Sequence, residues 1–383
     1  MSHHQALRKI GVTLFTILLM LLTCEAATRL FARLPRDVTE RHPEIGRRFQ
    51  PDLQEHIYNS EAAAAVYFQT NQFGFRGPKI SEKKPAGVKR VAVLGDSYTA
   101  SEGLSEDRTF CAQLQRLLNK SEAANTWEIL NFGMPGSGTG QELALYRHVV
   151  RKLNVDIVLI AFGNATDIRD NSGELTTNPL IQFAVDEQGD LVQHARTEGQ
   201  VSLSNWLNRN SRFYYWQKPK VRMLTRHFVQ SAGIQHGRQL IYLSHEPPAY
   251  TRAWKLTERI LDVFDDECRA DGCRLYVAAM PSAWQACKTH FEELQEKHQD
   301  LELDPLHPDH RLRDICRRLH IPYRTLTTVF RDYEQSAAGG ARSQDLFFNG
   351  RHHFNDRGSQ VIAKELSGWL TTRRLAGRPR PVY

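Results

Sequence analysis

Short apolar runs recur from about residue 88 onward, and segments of helical periodicity separate them. Val91–Leu94 is a continuous apolar run, and residues 127–132, 156–162 and 274–279 are three similar candidates. Apolar runs of this length, bounded by turn residues, are typical of parallel strands covered on both faces. A shorter strand is predicted at residues 321–326. The pattern therefore predicts five strands.

Amphipathic segments lie between these runs and predict the helices. They cover about residues 106–118, 141–153, 252–270, 308–319 and 356–370. Strands that alternate with helices predict an α/β fold, here a three-layer α/β/α sandwich with a five-stranded parallel sheet. In such folds, ligands bind at the carboxyl ends of the strands.

The segments outside this alternation set the predicted domain boundaries. We expect a signal anchor or signal peptide at 1–30, an N-terminal extension packed on the domain at 31–85, and the α/β domain at 86–372. A polar insertion with several aromatic residues interrupts that domain at about 171–245. It is predicted to cap the site, with a loop-rich packing segment as the alternative. Residues 373–383 form a basic tail.

The N-terminus has the features of an export segment. Arg8 and Lys9 precede a stretch of about 15 apolar residues, Ile10–Cys24. Cleavage after Ala26 would make it a signal peptide, and retention would make it a single-pass anchor. We therefore expect the domain to lie outside the cytoplasm, either bound to the membrane or secreted.

Composition excludes some classes of protein and leaves others. The 383 residues are 41% hydrophobic and 24% charged, as in folded proteins, and the formal net charge is +7. No basic run is interleaved with aromatic residues, so nucleic acid is not a predicted partner. The six cysteines and the histidines form no metal-binding motif, and no phosphate-binding loop is present. No metal or cofactor is predicted.

The first apolar run ends in Gly95-Asp96-Ser97, where a strand passes into a helix. A serine hydroxyl becomes a useful nucleophile when a base removes its proton, and the small Gly95 is expected to let a substrate approach. The N-terminus of the following helix would direct backbone N–H groups at a developing oxyanion.

Four sequence blocks together resemble the GDSL/SGNH hydrolases, in particular their membrane-anchored bacterial branch. The resemblance covers most of residues 70–370 and implies the flavodoxin-like SGNH form of the α/β/α sandwich. The blocks that carry it are Asn71-Gln-Phe-Gly-Phe-Arg-Gly77 with Gly95-Asp96-Ser97, Asn131-Phe-Gly-Met-Pro-Gly136, Asp167-Ile-Arg-Asp-Asn171, and His353-Phe-Asn355-Asp-Arg-Gly358.

The resemblance implies roles for four residues. Ser97 would be the nucleophile and would give its backbone N–H to the oxyanion hole. Gly136 would supply a second N–H, and Asn164 a side-chain amide. His353 would act as general base and then as general acid, because its pKa is ordinarily near neutral.

Two departures from the family pattern leave alternatives open. The family has an Asp shortly before the histidine, whereas Asn349 is the nearest candidate here. Asn349 either orients the histidine through its carbonyl oxygen or only caps the turn, in which case another carboxylate such as Asp345 or Asp356 orients the base. His352 is the alternative base.

The third block is also irregular. Aligning Asp167 with the family's Asp places Thr166 where the oxyanion Asn is expected. Choosing Asn164 instead requires an insertion of two residues.

The leading hypothesis is a serine esterase or O-acyl hydrolase or transferase. Its predicted partner is an acyl-ester substrate, with an acylated envelope polysaccharide as the favoured class, and the N-terminal segment would bind the membrane. The second hypothesis is a catalytically weakened relative that binds glycans or scaffolds an envelope complex.

Overall fold

The computed structural model describes residues 3–31, 38–121, 126–176, 181–195, 207, 210–218, 238–336, 342–350 and 353–375. The chain forms two compact units. One unit contains residues 1–37 and 197–235, and the other contains residues 38–196 and 236–383.

The second unit begins with two antiparallel hairpins. Strands β1 (Thr39–His42) and β2 (Gly46–Phe49) form the first, and β3 (Gln54–Asn59) and β4 (Ala64–Gln69) form the second. Alternate residues of β4, Val66 and Phe68, are buried. The part of the predicted N-terminal extension that is described therefore belongs to the same compact unit as the α/β domain.

A five-stranded parallel sheet forms the centre of this unit, as predicted. Its strands are β5 (Val88–Gly95), β6 (Thr126–Gly133), β7 (Ile157–Gly163), β10 (Arg274–Met280) and β11 (Tyr323–Thr325). Their order across the sheet is β11-β10-β7-β5-β6. The hairpin of β8 (Ile181–Val185) and β9 (Leu191–Ala195) lies within the predicted insertion.

Helices account for most of the remaining regular structure. The first unit contains α1 (His3–Phe31) and a short helix α6 at 212–218. The second contains α2 (Ser97–Ala100), α3 (Phe110–Ser121), α4 (Thr139–His148), α5 (Asp167–Asn171), α7 (Pro248–Ala270), α8 (Ala283–Ala286), α9 (Lys288–Lys297), α10 (His307–Arg318), α11 (Thr327–Ser336) and α12 (Asp356–Leu375).

Two hydrophobic clusters cover the two faces of the sheet. Ala92 and Leu94 of β5 belong to one cluster, together with residues of α4, α7 and α10. Val91 and Val93 belong to the other, together with residues of α3, α11 and α12. Because successive side chains of a strand point to opposite faces, this division confirms the three-layer α/β/α architecture.

The strand order predicts a crevice at the carboxyl ends of two central strands, β5 and β7. In order along the chain, the five parallel strands are arranged 2-1-3-4-5, because β5 lies between β6 and β7. The direction of winding reverses between β5 and β7, and ligands of doubly wound sheets bind at such a point, beyond the carboxyl ends of the strands. The loops after these two strands begin at Asp96 and Asn164.

Candidate active site

Ser97 lies at this reversal point, as the first residue of α2. The preceding Asp96 caps the helix, because its Oδ1 accepts a hydrogen bond from the Tyr98 N–H at 2.8 Å. Ser97 is half-buried, whereas Asp96 is buried. The hydroxyl is thus held at the surface of the crevice by a short, capped turn.

Gly95 has a packing role. A Cβ atom at this position would lie 2.2 Å from Thr99 Oγ1 and 3.0 Å from the Ala161 carbonyl oxygen. Glycine therefore allows the strand end to pack tightly against α2 and β7.

His353 contacts the serine directly. Its Nε2 lies 2.7 Å from Ser97 Oγ. The His353 carbonyl oxygen accepts a hydrogen bond of 2.8 Å from the Phe348 N–H, which ties the two sides of the histidine loop together. The structure thus brings together two of the predicted site residues, which are 256 positions apart in the sequence.

The residues after His353 fix its loop, which gives the last sequence block a structural explanation. The Asn355 side-chain amide donates to the carbonyl oxygens of Asp345 and Phe347, at 2.8 and 3.0 Å. A Cβ atom at Gly358 would lie 2.2 Å from the Leu346 carbonyl oxygen, so only glycine fits there. This spacing anchors the histidine loop to the start of α12.

A carboxylate that sequence reasoning missed completes the arrangement. Glu61 Oε2 lies 2.8 Å from His353 Nδ1 and also accepts the His353 backbone N–H at 3.3 Å. Glu61 lies in the turn between β3 and β4. The Asn59 side-chain oxygen accepts the N–H groups of Glu61 and Ala62, at 3.0 and 2.9 Å, and so holds this turn.

The charge of Glu61 changes the acid–base behaviour of His353. Burial lowers the pKa of His353, but the Glu61 hydrogen bond and charge, with smaller contributions from Asp96 and Glu102, outweigh burial and raise the pKa above its ordinary value. With Nδ1–H donating to the carboxylate, Nε2 has a free lone pair for the Ser97 hydroxyl proton. This geometry points Nε2 at the Ser97 hydroxyl.

The expected role of Asn349 does not match the geometry. Its side-chain amide donates to the backbone carbonyl oxygen of Glu61 at 3.2 Å, and the position at His353 Nδ1 is taken by the Glu61 carboxylate. Asn349 has a φ of 49°, in the left-handed region that Asn tolerates in turns. It supports the turn that presents the acid. The proposed alternatives Asp345 and Asp356 do not occupy that position either.

Asn164 also differs from expectation. Its side chain is fully buried, and its amide donates to Asp309 Oδ2 at 3.0 Å. Its backbone N–H donates to the Met280 carbonyl oxygen of β10, whereas Thr166 Oγ1 donates to Asp96 Oδ2 on the β5 side, at 2.9 Å. After β7, the chain therefore bonds to β10 through Asn164 and to the β5 side through Thr166. The Asn164 amide is engaged inside the protein and is unavailable to a substrate oxygen.

Gly136 lies in a turn that is bonded to the nucleophile strand. The turn closes with a hydrogen bond of 3.2 Å from the Ser137 N–H to the Met134 carbonyl oxygen, and the Ser137 hydroxyl donates to the Gly95 carbonyl oxygen at 3.1 Å. Gly136 is exposed and has a φ of 75°, as a type II turn after proline requires. This places its backbone at the open edge of the sheet near Ser97.

Two buried carboxyl groups lie behind the nucleophile turn. Glu142 of α4 and Asp167 of α5 are each almost fully buried. Burial raises the pKa of both groups, and the negative charges of neighbouring carboxylates, Asp96 among them, raise it further. Thr166 connects this region to the site, since its hydroxyl bonds Asp96.

Arg76, from the first resemblance block, supports the residues after Ser97. Its buried guanidinium donates to the carbonyl oxygens of Ser101 and Leu104, at 3.1 and 2.7 Å, and pairs with Glu106 at 3.2 Å. It also lies 4.2 Å from the centre of the Phe68 ring. The block before the nucleophile strand thus stabilises the loop that follows α2.

An open groove of about 1230 Å³ lies beside the Glu61 turn. Its lining includes Ala62 and Asn349, which adjoin Glu61, and it extends past Tyr67, whose side chain is 41% exposed. Most of the remaining lining is polar or charged, and it includes Arg108 and Arg357. Ser97 is not among the lining residues, so the groove flanks the nucleophile rather than containing it.

Sequence signals for Glu61 were weak. The alternation of buried residues in β4 and the Asn59-Ser-Glu61 turn could have predicted the hairpin, but not its contact with a residue 292 positions later. The alternative base, His352, lies outside the described residues. About half of the insertion predicted as a cap, including residues 219–237, also lies outside them. Its residues 210–218 contact α1 within the first unit.

Comparisons with known proteins gave structural neighbours only. No family model and no curated protein matches this chain. The solved structures found include an acetyl xylan esterase, with 14% identity over 74% of this chain and 98% of that chain and a TM-score of 0.40. The lipase/acylhydrolase from Enterococcus faecalis has 12% identity over 77% of this chain and 100% of that chain, with a TM-score of 0.39.

A third structure found is a catalytic mutant of an acetylxylan esterase from Geobacillus stearothermophilus. It has 11% identity over 73% of this chain and 92% of that chain, with a TM-score of 0.39. All three of these proteins carry the name of an esterase or an acylhydrolase.

Proposed function

We propose that this protein is a serine ester hydrolase of the SGNH type that uses Ser97, His353 and Glu61. The observation that carries the proposal is the continuous hydrogen-bonded arrangement of hydroxyl, imidazole and carboxylate, with distances of 2.7 and 2.8 Å. Hydroxyl–imidazole–carboxylate triads of this geometry recur on unrelated folds and are recognised by geometry rather than by order in the sequence.

The proposed reaction has two steps. Ser97 Oγ attacks the acyl carbonyl carbon while its proton passes to His353 Nε2, and the imidazolium that forms is stabilised by Glu61. The same proton then passes to the leaving alkoxide, which departs as the alcohol. In the second step, His353 takes a proton from water, the hydroxide attacks the acyl-enzyme, and Ser97 regains its proton as the carboxylic acid leaves.

Two backbone donors form the proposed oxyanion hole. These are the N–H of Ser97 at the start of α2 and the N–H of Gly136 in its exposed turn. The third donor of the family pattern is missing, since the Asn164 amide bonds Asp309. One such donor contributes about 3 kcal/mol to transition-state stabilisation, so we expect a slower enzyme than a relative with three donors.

An acylated saccharide is the proposed substrate class. The groove beside Glu61 is open and mainly polar, and Tyr67 gives it an exposed aromatic ring. Polar side chains can bond sugar hydroxyls, and an aromatic face can pack against the apolar face of a sugar ring. The groove would hold the saccharide while an attached acyl group reaches Ser97.

A kinetic comparison tests the substrate class. Tyr67→Ala is expected to raise KM for an acetylated polysaccharide at least fivefold and to leave kcat/KM for a small acetyl ester within twofold. The small ester is the control, because it reaches Ser97 without filling the groove. An unchanged KM for the polymer would reject the groove as the saccharide site and leave the esterase proposal intact.

A covalent probe tests the enzyme proposal and separates it from the second hypothesis. A fluorophosphonate probe is expected to label the protein and the control Ser105→Ala, but not Ser97→Ala. Absence of labelling in the parent protein, together with binding of an envelope glycan, would favour the catalytically weakened glycan-binding protein instead.

We further propose that the N-terminal segment directs export. Within the described residues, one helical segment, Arg8–Phe31, is long and apolar enough to cross a membrane. A reporter that is active only outside the cytoplasm, fused after residue 40, is expected to be active. Activity of a cytoplasm-specific reporter at the same position would reject this localisation.

A further inference from the structure

The apolar part of α1 ends at a charged residue. The most apolar 18-residue window of Arg8–Phe31 has a mean hydropathy of 2.1 and is not buried against the described protein. The stretch Ile10–Cys24 is about 15 residues, or about 22 Å at 1.5 Å per residue. A bilayer core is about 30 Å thick. If α1 crosses a bilayer, Glu25 is therefore expected close to the membrane–water interface.

Glu25 is bound to the start of another helix. Its carboxylate accepts hydrogen bonds from the Ser211 hydroxyl at 2.8 Å and from the backbone N–H groups of Arg212 and Phe213, both at 3.0 Å. These N–H groups belong to the first turn of α6, where backbone donors have no partner within the helix. Glu25 thus caps α6 from a different part of the chain.

Arg29 reinforces this connection from the next turn of α1. Its Nε pairs with Glu25 at 2.7 Å, and its Nη2 donates to the Asn210 carbonyl oxygen at 2.9 Å. A seven-residue helix has little stability by itself in water. The contacts of Glu25 and Arg29 therefore account for the position of α6 beside the end of α1.

The composition of α6 is typical of a membrane interface. Residues 213–216 are Phe-Tyr-Tyr-Trp, and Lys218 follows them. The Trp216 side chain is 38% exposed, and Lys218 Nζ lies 5.8 Å from the centre of the Tyr214 ring. Trp and Tyr concentrate at the headgroup level of membranes, where one part of the ring is in an apolar and another in a polar environment, and Lys extends its amine to the surface.

We propose that residues 210–218, here called the collar, lie in the headgroup region of a phospholipid bilayer that α1 crosses, and that α1 is retained as an anchor. Cleavage after Ala26 would remove Glu25 and with it the cap of α6. The collar adds contacts with lipid headgroups to a short transmembrane stretch. It also provides hydrogen-bond donors for the Glu25 carboxylate at a depth where an unpaired charge is costly. This proposal is independent of the proposed esterase activity.

Depth-dependent quenching tests the location of the collar. The full chain is reconstituted into phosphatidylcholine vesicles whose acyl chains carry bromine either near the headgroup or near the terminal methyl. The fluorescence of Trp216 is taken as the difference in tryptophan fluorescence between the parent protein and Trp216→Phe. We expect the shallow bromine to quench it at least twice as strongly as the deep one. Absence of quenching at both depths would overturn the proposal.

A matched variant controls for nonspecific quenching. Trp127 is 1% exposed in the core of the second unit. Its signal, taken as the difference between the parent and Trp127→Phe, is expected to respond to neither lipid. Quenching of Trp127 equal to that of Trp216 would also contradict a specific location for the collar.

The Glu25 contact has its own test. In vesicles, Glu25→Ala is expected to increase tryptic cleavage after Arg212 at least tenfold. Cleavage of Glu25→Gln should be intermediate between that of the parent protein and that of Glu25→Ala, because the amide oxygen of Gln still accepts hydrogen bonds but lacks the charge. Glu187→Ala, in the exposed turn between β8 and β9, is the control. Equal cleavage of Glu25→Ala and the parent would show that Glu25 does not hold the collar.

Mass spectrometry of the membrane-bound protein tests retention directly. The proposal predicts an intact mass that includes the residues before Ala27 after expression in a bacterial host. A mature chain that begins at Ala27 would overturn it.

Discussion

Replacement of Glu61 by glutamine tests the part of the site that the tertiary structure alone reveals. The substitution keeps the size of the side chain and removes its charge. Glu61 Oε2 lies 2.8 Å from His353 Nδ1, so the centre of the carboxylate charge is about 4 Å from the imidazolium that forms in the transition state. At that separation, two unit charges interact by about 4 kcal/mol in a surface-like protein environment and about 1 kcal/mol in water.

The Glu61 side chain is 26% exposed, which places the site between these limits. We expect a loss of about 2 to 3 kcal/mol, or a fall in kcat/KM of about 30-fold to 150-fold. The measurement is the hydrolysis of a small acetyl ester as a function of pH. Glu55→Gln, on β3 of the same hairpin, is the matched control and is expected to keep parent activity.

The pH profile gives a second readout with a defined sign. His353 must be neutral to accept the Ser97 proton, so activity rises with pH as His353 loses its own proton. Glu61 raises the pKa of His353 above 6.5, and its charge is absent from Glu61→Gln. The acid limb of the pH profile is therefore expected at lower pH in Glu61→Gln than in the parent protein. The maximum activity of the variant is expected to be lower. Activity within twofold of the parent and an unmoved acid limb would refute the assignment of Glu61.

Five other substitutions, which form four predictions, give distinct expectations. His353→Ala should abolish hydrolysis of the acetyl ester while His352→Ala keeps most of it; equal loss in both would leave no kinetic reason to prefer His353. Asn349→Ala should lower kcat/KM by no more than about fivefold, since it removes one hydrogen bond to the acid's turn, and a 100-fold loss would contradict this indirect role. Gly136→Ala keeps the backbone N–H but strains the turn at a φ of 75°, so it should lower the free energy of unfolding by about 1 kcal/mol and lower kcat at least tenfold as the N–H shifts; a loss of stability with unchanged kcat would contradict the proposed position of this N–H in the oxyanion hole. Arg76→Met should lower the free energy of unfolding, measured by urea denaturation, by about 3 kcal/mol, because buried carbonyl oxygens lose their donor; a change below 1 kcal/mol would show that they find other partners.

Local sequence patterns predicted the central sheet well. The apolar run Val91–Leu94 lies inside β5, and the segments 156–162 and 274–279 correspond to β7 and β10. Strands covered by helices on both faces need apolar side chains at nearly every position, so their sequence alone identifies them. The final helix, predicted from residue 356, begins at Asp356.

Predictions were less complete where regular structure depends on distant contacts. The hairpins of residues 39–69 and the helix α11 were not predicted, because elements of four to ten residues give only weak sequence signals. The strand expected at 321–326 is limited to Tyr323–Thr325, since it pairs with β10 alone, at the edge of the sheet. Such elements are stabilised mainly by what they pack against.

The candidate site shows the same division. Ser97 and His353 could be identified because their surrounding residues build local turns: Asp96 caps α2, and Asn355 and Gly358 anchor the histidine loop. Such turns require particular residue types at fixed spacings, so they leave a signature in the sequence. They determined which residues to consider as nucleophile and base.

Only the tertiary structure decided that the Glu61 carboxylate faces the His353 imidazole and that the Asn164 amide points into the protein. Glu61 reaches His353 because the β3–β4 hairpin packs beside a loop almost 300 residues later, and a charge–imidazole contact requires no neighbouring sequence motif. Asn164 has the residue type expected of an oxyanion donor, but the chain turns toward β10 after β7, and its amide meets Asp309 instead. Side-chain type is a local property, whereas the direction in which a side chain points beyond a strand end depends on the strands and helices around it.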